Sequence, residues 1–134
     1  MGRIYSELYI HLIWSTKMKE AMITGNFEQI IYNKIEEKCE KYNFQKLAIG
    51  NTCDHIHSLI RVNPNQRISE FVKEVKGATS FIINKETDAN LYWQNGYGVL
   101  SVSKYGVNKV KNYILNQKEH HRSKDNLIDV LEKY

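Results

Sequence analysis

One proline in 134 residues, Pro64, leaves little room for long irregular segments. Two cysteines, Cys39 and Cys53, are too few for a disulfide framework, so two reduced thiols are expected. No run of eighteen apolar residues occurs, which excludes a helical membrane span. Residues 1–9 lack the apolar stretch and small-residue cleavage site of a secretory leader, so a cytoplasmic location is expected. No repeat, low-complexity tract or linker breaks the chain, and a single domain over residues 1–134 is expected. Charge is not extreme either. Nineteen Lys and Arg against fifteen Asp and Glu give a formal +4. That permits a polyanionic partner without demanding one. Aromatics, by contrast, are plentiful, with nine tyrosines.

The apolar pattern divides the chain into seven elements. Glu7 to Ser15, ELYIHLIWS, is almost continuously apolar and aromatic, as in a central strand. Phe27, Ile31, Ile35 and Cys39 recur at helical spacing within a helix over Phe27 to Tyr42. Asn26 and Gln29 resemble a capping box at its start. Phe44 to Asn51 and His55 to Val62 read as a hairpin turning at Cys53 and Asp54. Ile68, Val72, Val75, Thr79 and Ile82 mark a second helix, and Glu86 to Asn95 reads as a polar loop. Gly98 to Ser103 is a fourth strand, and Val107 to His121 a third helix after a break at Gly106. This order predicts an α+β fold, a ferredoxin-like (RRM-like) split βαβ antiparallel sheet. The additional C-terminal helix, which carries Tyr113, is left to cover the second sheet face.

His55 and His57 are two apart on a strand, so both imidazoles point to one face. Ile56, Ile60 and Val62 then enter the core on the other. Two adjacent imidazoles make a natural two-nitrogen metal clamp. An isolated His-x-His pair is weak evidence, and a partner ligand elsewhere is needed. On the third helix Tyr113 and Gln117 are four apart and share a face, with His120 and His121 one turn on. A divalent ion held by His55, His57 and the Gln117 amide keeps open positions for phosphate oxygens. Tyr113 is then about 5–6 Å away, one helical turn, and is the candidate nucleophile. A phenolate that attacks phosphorus and expels a 3′ hydroxyl leaves a phosphotyrosine, and the reverse attack rejoins the strand without a nucleotide cofactor.

Four segments carry a resemblance to a known family. HIH at 55–57, preceded by Asp54, resembles the HUH motif, two histidines flanking a hydrophobic residue. YILNQKEHH, 113–121, resembles the tyrosine helix of single-tyrosine HUH transposases, the enzymes of the smallest bacterial insertion sequences, in the superfamily that includes REP-associated tyrosine transposases. YIHLIWSTK, 9–17, resembles their opening strand, and WQNGYGVLSVS, 93–103, the segment leading into their fourth strand. The resemblance implies a homodimer with a ferredoxin-like fold. It implies cutting and rejoining of single-stranded DNA with hairpin ends through a 5′-phosphotyrosine, with Mg2+ or Mn2+. It maps the metal ligands to His55, His57 and Gln117, and the nucleophile to Tyr113. In the family the tyrosine helix can serve the partner subunit, and Gly106 is compatible with such a hinge, although glycine before a helix is commonly plain loop geometry. Family members linked to repeated palindromes carry extra basic C-terminal sequence; the short tail here favours the mobile-element type.

Candidate DNA contacts are Lys17, Lys19, Arg61, Arg67, Lys73, Lys76, Lys104, Lys109 and Lys111 to phosphates, with Trp93 and Tyr97 stacking on unpaired bases. Trp93 reads equally as a buried anchor, and His11 as a core histidine or a sheet-face neighbour of the site. A histidine-triad nucleotide hydrolase fails because Leu59 stands where its third histidine belongs. Two alternatives remain: a non-catalytic nucleic-acid-binding domain of the same fold, and a member of the resembled family that has lost activity and only binds DNA.

Overall fold

A computed structural model describes residues 2–117. Its elements run β1 (Leu8–Ser15), α1 (Asn26–Lys41), β2 (Gln45–Asn51), β3 (His55–Val62), α2 (Ile68–Glu86), β4 (Gly98–Val102) and α3 (Val107–Leu115). The four strands form one sheet in the order β2-β3-β1-β4, and every neighbouring pair is antiparallel. This is the split βαβ plan expected of the sequence. β1 and β3 occupy the centre, in register from Leu8 opposite Val62 to Ser15 opposite His55.

Strand alternation separates two faces. Ile10, Leu12 and Trp14 of β1 join Ile56, Ile60 and Val62 of β3 on one face. Ile31 and Ile35 of α1 and Phe71, Val72 and Val75 of α2 close over them, giving the main core. The second cluster is smaller: Ala48, Leu59 and Ile114, flanked by Val107, Val110 and Tyr113. It lies where α3 crosses the opposite face. The third helix therefore covers the side that α1 and α2 leave open.

Three local expectations are corrected. Asn26 does not cap α1: the cap is Gly25, at φ 54°, with no side-chain hydrogen bond, and Gln29 instead donates to Asn33. Glycine tolerates that positive φ where a β-carbon resists it. In α2 the last buried position is Ile83 rather than Ile82, because the apolar stripe steps four residues from Thr79. Gly106 sits at φ −95°, an ordinary value, and closes a short 3-10 turn over Lys104–Gly106. The expected continuation of α3 to His121, with His120 and His121, lies outside the described residues.

The loop after α2 is pinned rather than loose. Thr16 and Trp93 form an isolated antiparallel bridge, and Gln94 N–H donates to the Ser15 carbonyl at 2.9 Å. The Trp93 ring stands edge-on to Trp14, and its Nε1 donates to Thr79 Oγ1 at 2.9 Å. Trp93→Ala is expected to cost about 2–3 kcal/mol in chemical denaturation, less than a fully buried tryptophan because this ring is half-buried.

Candidate functional site

His11, His55, His57 and Tyr113 meet on the α3 side of the sheet, and Gln117, just past α3, lines a pocket with Gly50 and Asn51 of β2. His55 and His57 are 1% and 0% exposed, and Gln117 is 1% exposed. The His55 and His57 ring centroids are 5.1 Å apart. Tyr113 stands edge-on to His57 at 6.1 Å and to His11 at 6.2 Å. The strand and helix singled out in the sequence thus face each other within one chain.

Each clamp histidine has its Nδ1 engaged. His55 Nδ1 contacts Asp54 Oδ1 at 2.5 Å and Thr52 Oγ1 at 2.8 Å. His57 Nδ1 lies 2.8 Å from His11 Nε2. Nδ1 contacts of this kind orient imidazoles whose Nε2 binds metal. Burial holds the His11 ring uncharged, its pKa pushed down to about 4. Thr52 and His11 are site residues for which the sequence reading assigned no role, although it placed His11 beside the site. His11 was legible as a polar position in an apolar strand, whereas Thr52 shows only once the β2–β3 turn is closed.

The Gln117 amide is the third donor of the proposed set. Neither of its polar atoms has a hydrogen-bond partner among the described residues, although both are buried. An orphaned buried amide costs on the order of 1–3 kcal/mol, a cost that ligation of its oxygen to a cation offsets. Two imidazoles and an amide oxygen are donors that a divalent ion accepts. Among the described residues, no three His, Cys, Asp or Glu side chains gather as a metal site. The proposed set instead takes an amide as its third member.

Gly50 sets how closely α3 approaches. It pairs with His57 across β2 and β3. A β-carbon placed on Gly50 would lie 2.0 Å from the Ile114 carbonyl oxygen and 2.9 Å from its carbon. The obstacle is backbone, so the helix itself would have to lift. Glycine to alanine in a strand ordinarily gains about 0.5–1 kcal/mol. Gly50→Ala is expected to reverse that sign in thermal melts and to lower any activity that needs Tyr113 beside His57 by tenfold or more.

The candidate DNA contacts scatter. Lys73, Lys76, Trp93 and Tyr97 line one groove of about 440 Å³ between α2 and the following loop. Within it Lys76 donates to the Gln94 and Gly96 carbonyls, and burial holds its ammonium below the usual lysine range. Its charge is thus partly committed to the loop. Arg61 donates to the Ser6 carbonyl and lies over the Tyr5 and Tyr9 rings. Lys104 pairs with Glu7 at 3.2 Å. Lys17, Lys73 and Lys109 are exposed. Cys39 is buried and Cys53 exposed, and both are free thiols.

Comparisons with known proteins bear on the family and the fold. The family model described as "Transposase IS200 like" matches residues 4–117. The chain is 26% identical over 123 residues to the ISDra2 transposase TnpA of Deinococcus radiodurans, a match covering 87% of each. It superposes on a crystal structure of a transposase candidate from Deinococcus radiodurans R1 with a TM-score of 0.68 and 25% identity, over 88% of this chain and 97% of the other. A REP-associated tyrosine transposase bound to a REP hairpin gives a TM-score of 0.69 over 90% of this chain and 73% of its own; at 14% identity it speaks for the fold.

Proposed function

Because this chain belongs to the IS200-like transposase family, we propose that it cuts and rejoins single-stranded DNA through a covalent bond to Tyr113. The observation that carries the reading is the Tyr113 ring 6.1 Å from His57; four residues on, the buried Gln117 amide has no hydrogen-bond partner among the described residues. His55, His57 and Gln117 would hold Mg2+ or Mn2+. When bound, that ion polarises the scissile phosphate and offsets charge developing on it.

The residues of the chain do the rest. The Asp54 and Thr52 contacts orient His55. α3 holds the phenol on the same side of the sheet. In the reaction the Tyr113 oxygen bonds to phosphorus and the bond from phosphorus to the 3′ oxygen breaks. The phenol releases its proton and the departing 3′ oxygen takes one up. The product is a 5′-phosphotyrosine and a free 3′ hydroxyl. Attack by a 3′ hydroxyl on the phosphotyrosine reverses the step and rejoins DNA, so no nucleotide is consumed.

The substrate in this reading is single-stranded DNA bearing hairpins at the ends of a mobile element, bound by a homodimer. One feature weighs against the non-catalytic alternative. Sheet-face binders of this fold stack bases on aromatics exposed along the central strands. Here that face carries buried His11, His55 and His57, and α3 lies across β2 and β3.

The test uses single-stranded oligonucleotides copied from the palindromes flanking the gene, with Mn2+ or Mg2+. The expected product is a protein–DNA adduct that survives denaturing electrophoresis, absent with the same sequence as a duplex. No adduct with any flanking single strand, under conditions where the strand is bound, would leave only the binding module.

A further inference from the structure

His11 is buried, 2% exposed, on a face whose cross-strand neighbours are Leu59 and Leu100. An imidazole there costs desolvation that leucine would not. It sits diagonally across the strand pair from His57, which lies opposite Ile13. Its Nε2 is 2.8 Å from His57 Nδ1, and its ring is edge-on to Tyr113.

We infer that His11 is a positioning residue that holds His57 in the one tautomer able to bind a cation through Nε2. This rests on the metal-site reading above. A neutral imidazole carries one N–H, and the nitrogen that meets a cation must present its lone pair. If Nε2 of His57 is that nitrogen, the proton is on Nδ1. Nδ1 then donates to His11 Nε2, which must accept, so His11 carries its own proton on Nδ1. The two clamp histidines are thus held differently. His55 leans on a carboxylate and a hydroxyl. His57 leans on a neutral ring inside the sheet. That ring is fixed by β1, so the orientation of His57 is set by the sheet rather than by α3.

The first readout needs no substitution. Nitrogen-15 NMR of the metal-free wild type is expected to show the His57 proton on Nδ1; a proton on Nε2 overturns the inference. The second is Mn2+ affinity measured by calorimetry without DNA. His11→Leu keeps the volume but removes the acceptor, and is expected to weaken Mn2+ binding tenfold to a hundredfold. His11→Gln brings an amide oxygen near the position of Nε2 and is expected to stay within a few-fold of wild type. His57→Ala separates the two claims. Undiminished binding in His11→Leu with loss in His57→Ala overturns the role of His11 and leaves the metal site standing. Undiminished binding in His57→Ala overturns both. Should His11→Leu fail to fold, the wild-type tautomer still decides.

Discussion

Tyr113→Phe yields no covalent adduct with single-stranded DNA, while affinity for the same strand stays within about threefold of wild type. That is the expected result, and its size follows from chemistry. The substitution removes one oxygen, the atom proposed to bond to phosphorus. No hydroxyl remains on that side chain, so adduct formation falls at least a thousandfold, below detection on a denaturing gel. The ring stays edge-on to His11 and His57, and Ile114 keeps α3 on the sheet. The variant is therefore a folded binder. An undiminished adduct in Tyr113→Phe would assign the attack to another residue.

The second large effect concerns the clamp. His57→Ala is expected to lower cleavage more than a hundredfold and to abolish Mn2+ binding measured without DNA. Wild type in excess chelator should fall to the same level. The cost in stability is smaller than the cost in activity. Removing a fully buried imidazole leaves a cavity and strands the Nε2 of His11, for about 2–3 kcal/mol. The main core on the opposite sheet face is untouched, so circular dichroism should report a folded chain. Cleavage at the wild-type rate in the variant, or in chelator, would remove the divalent ion from the reaction.

Much of this site was legible in the sequence because strand alternation is a strict rule. His55, Ile56 and His57 could not all face one way, and β3 begins at His55 and ends at Val62 as the pattern required. The sheet order followed from the split βαβ order of the elements. Where the reading slipped, a local signal had two interpretations. Asn26 has the chemistry of a cap, but Gly25 takes the positive φ that starts α1. Ile82 and Ile83 are both apolar, and only the accumulated helical phase chooses Ile83. Trp93 offered stacking or anchoring, and the structure uses its indole N–H to bind Thr79. Other features could not be read at all. Gly50 is an unremarked glycine in a strand until α3 is laid over it. The pairing of His11 with His57 joins residues far apart in sequence, and it appears only when β1 and β3 are in register.

The unequal size of the two apolar clusters has a consequence for how the molecule comes apart. Eighteen buried side chains bind α1 and α2 to the sheet, whereas three form the cluster under α3 among the described residues. Of those three Ile114 alone belongs to the helix, worth roughly 1.5–3 kcal/mol when fully buried. Where the strand meets the helix, Gly50 offers a smooth backbone surface, with no side chain to interlock. Such a joint is expected to open as its own cooperative unit before global unfolding, seen as faster amide exchange in α3 than in α1 and α2. On the proposed reading, the strands that orient the imidazoles would persist while Tyr113 leaves them, and adduct formation would depend on α3 being docked.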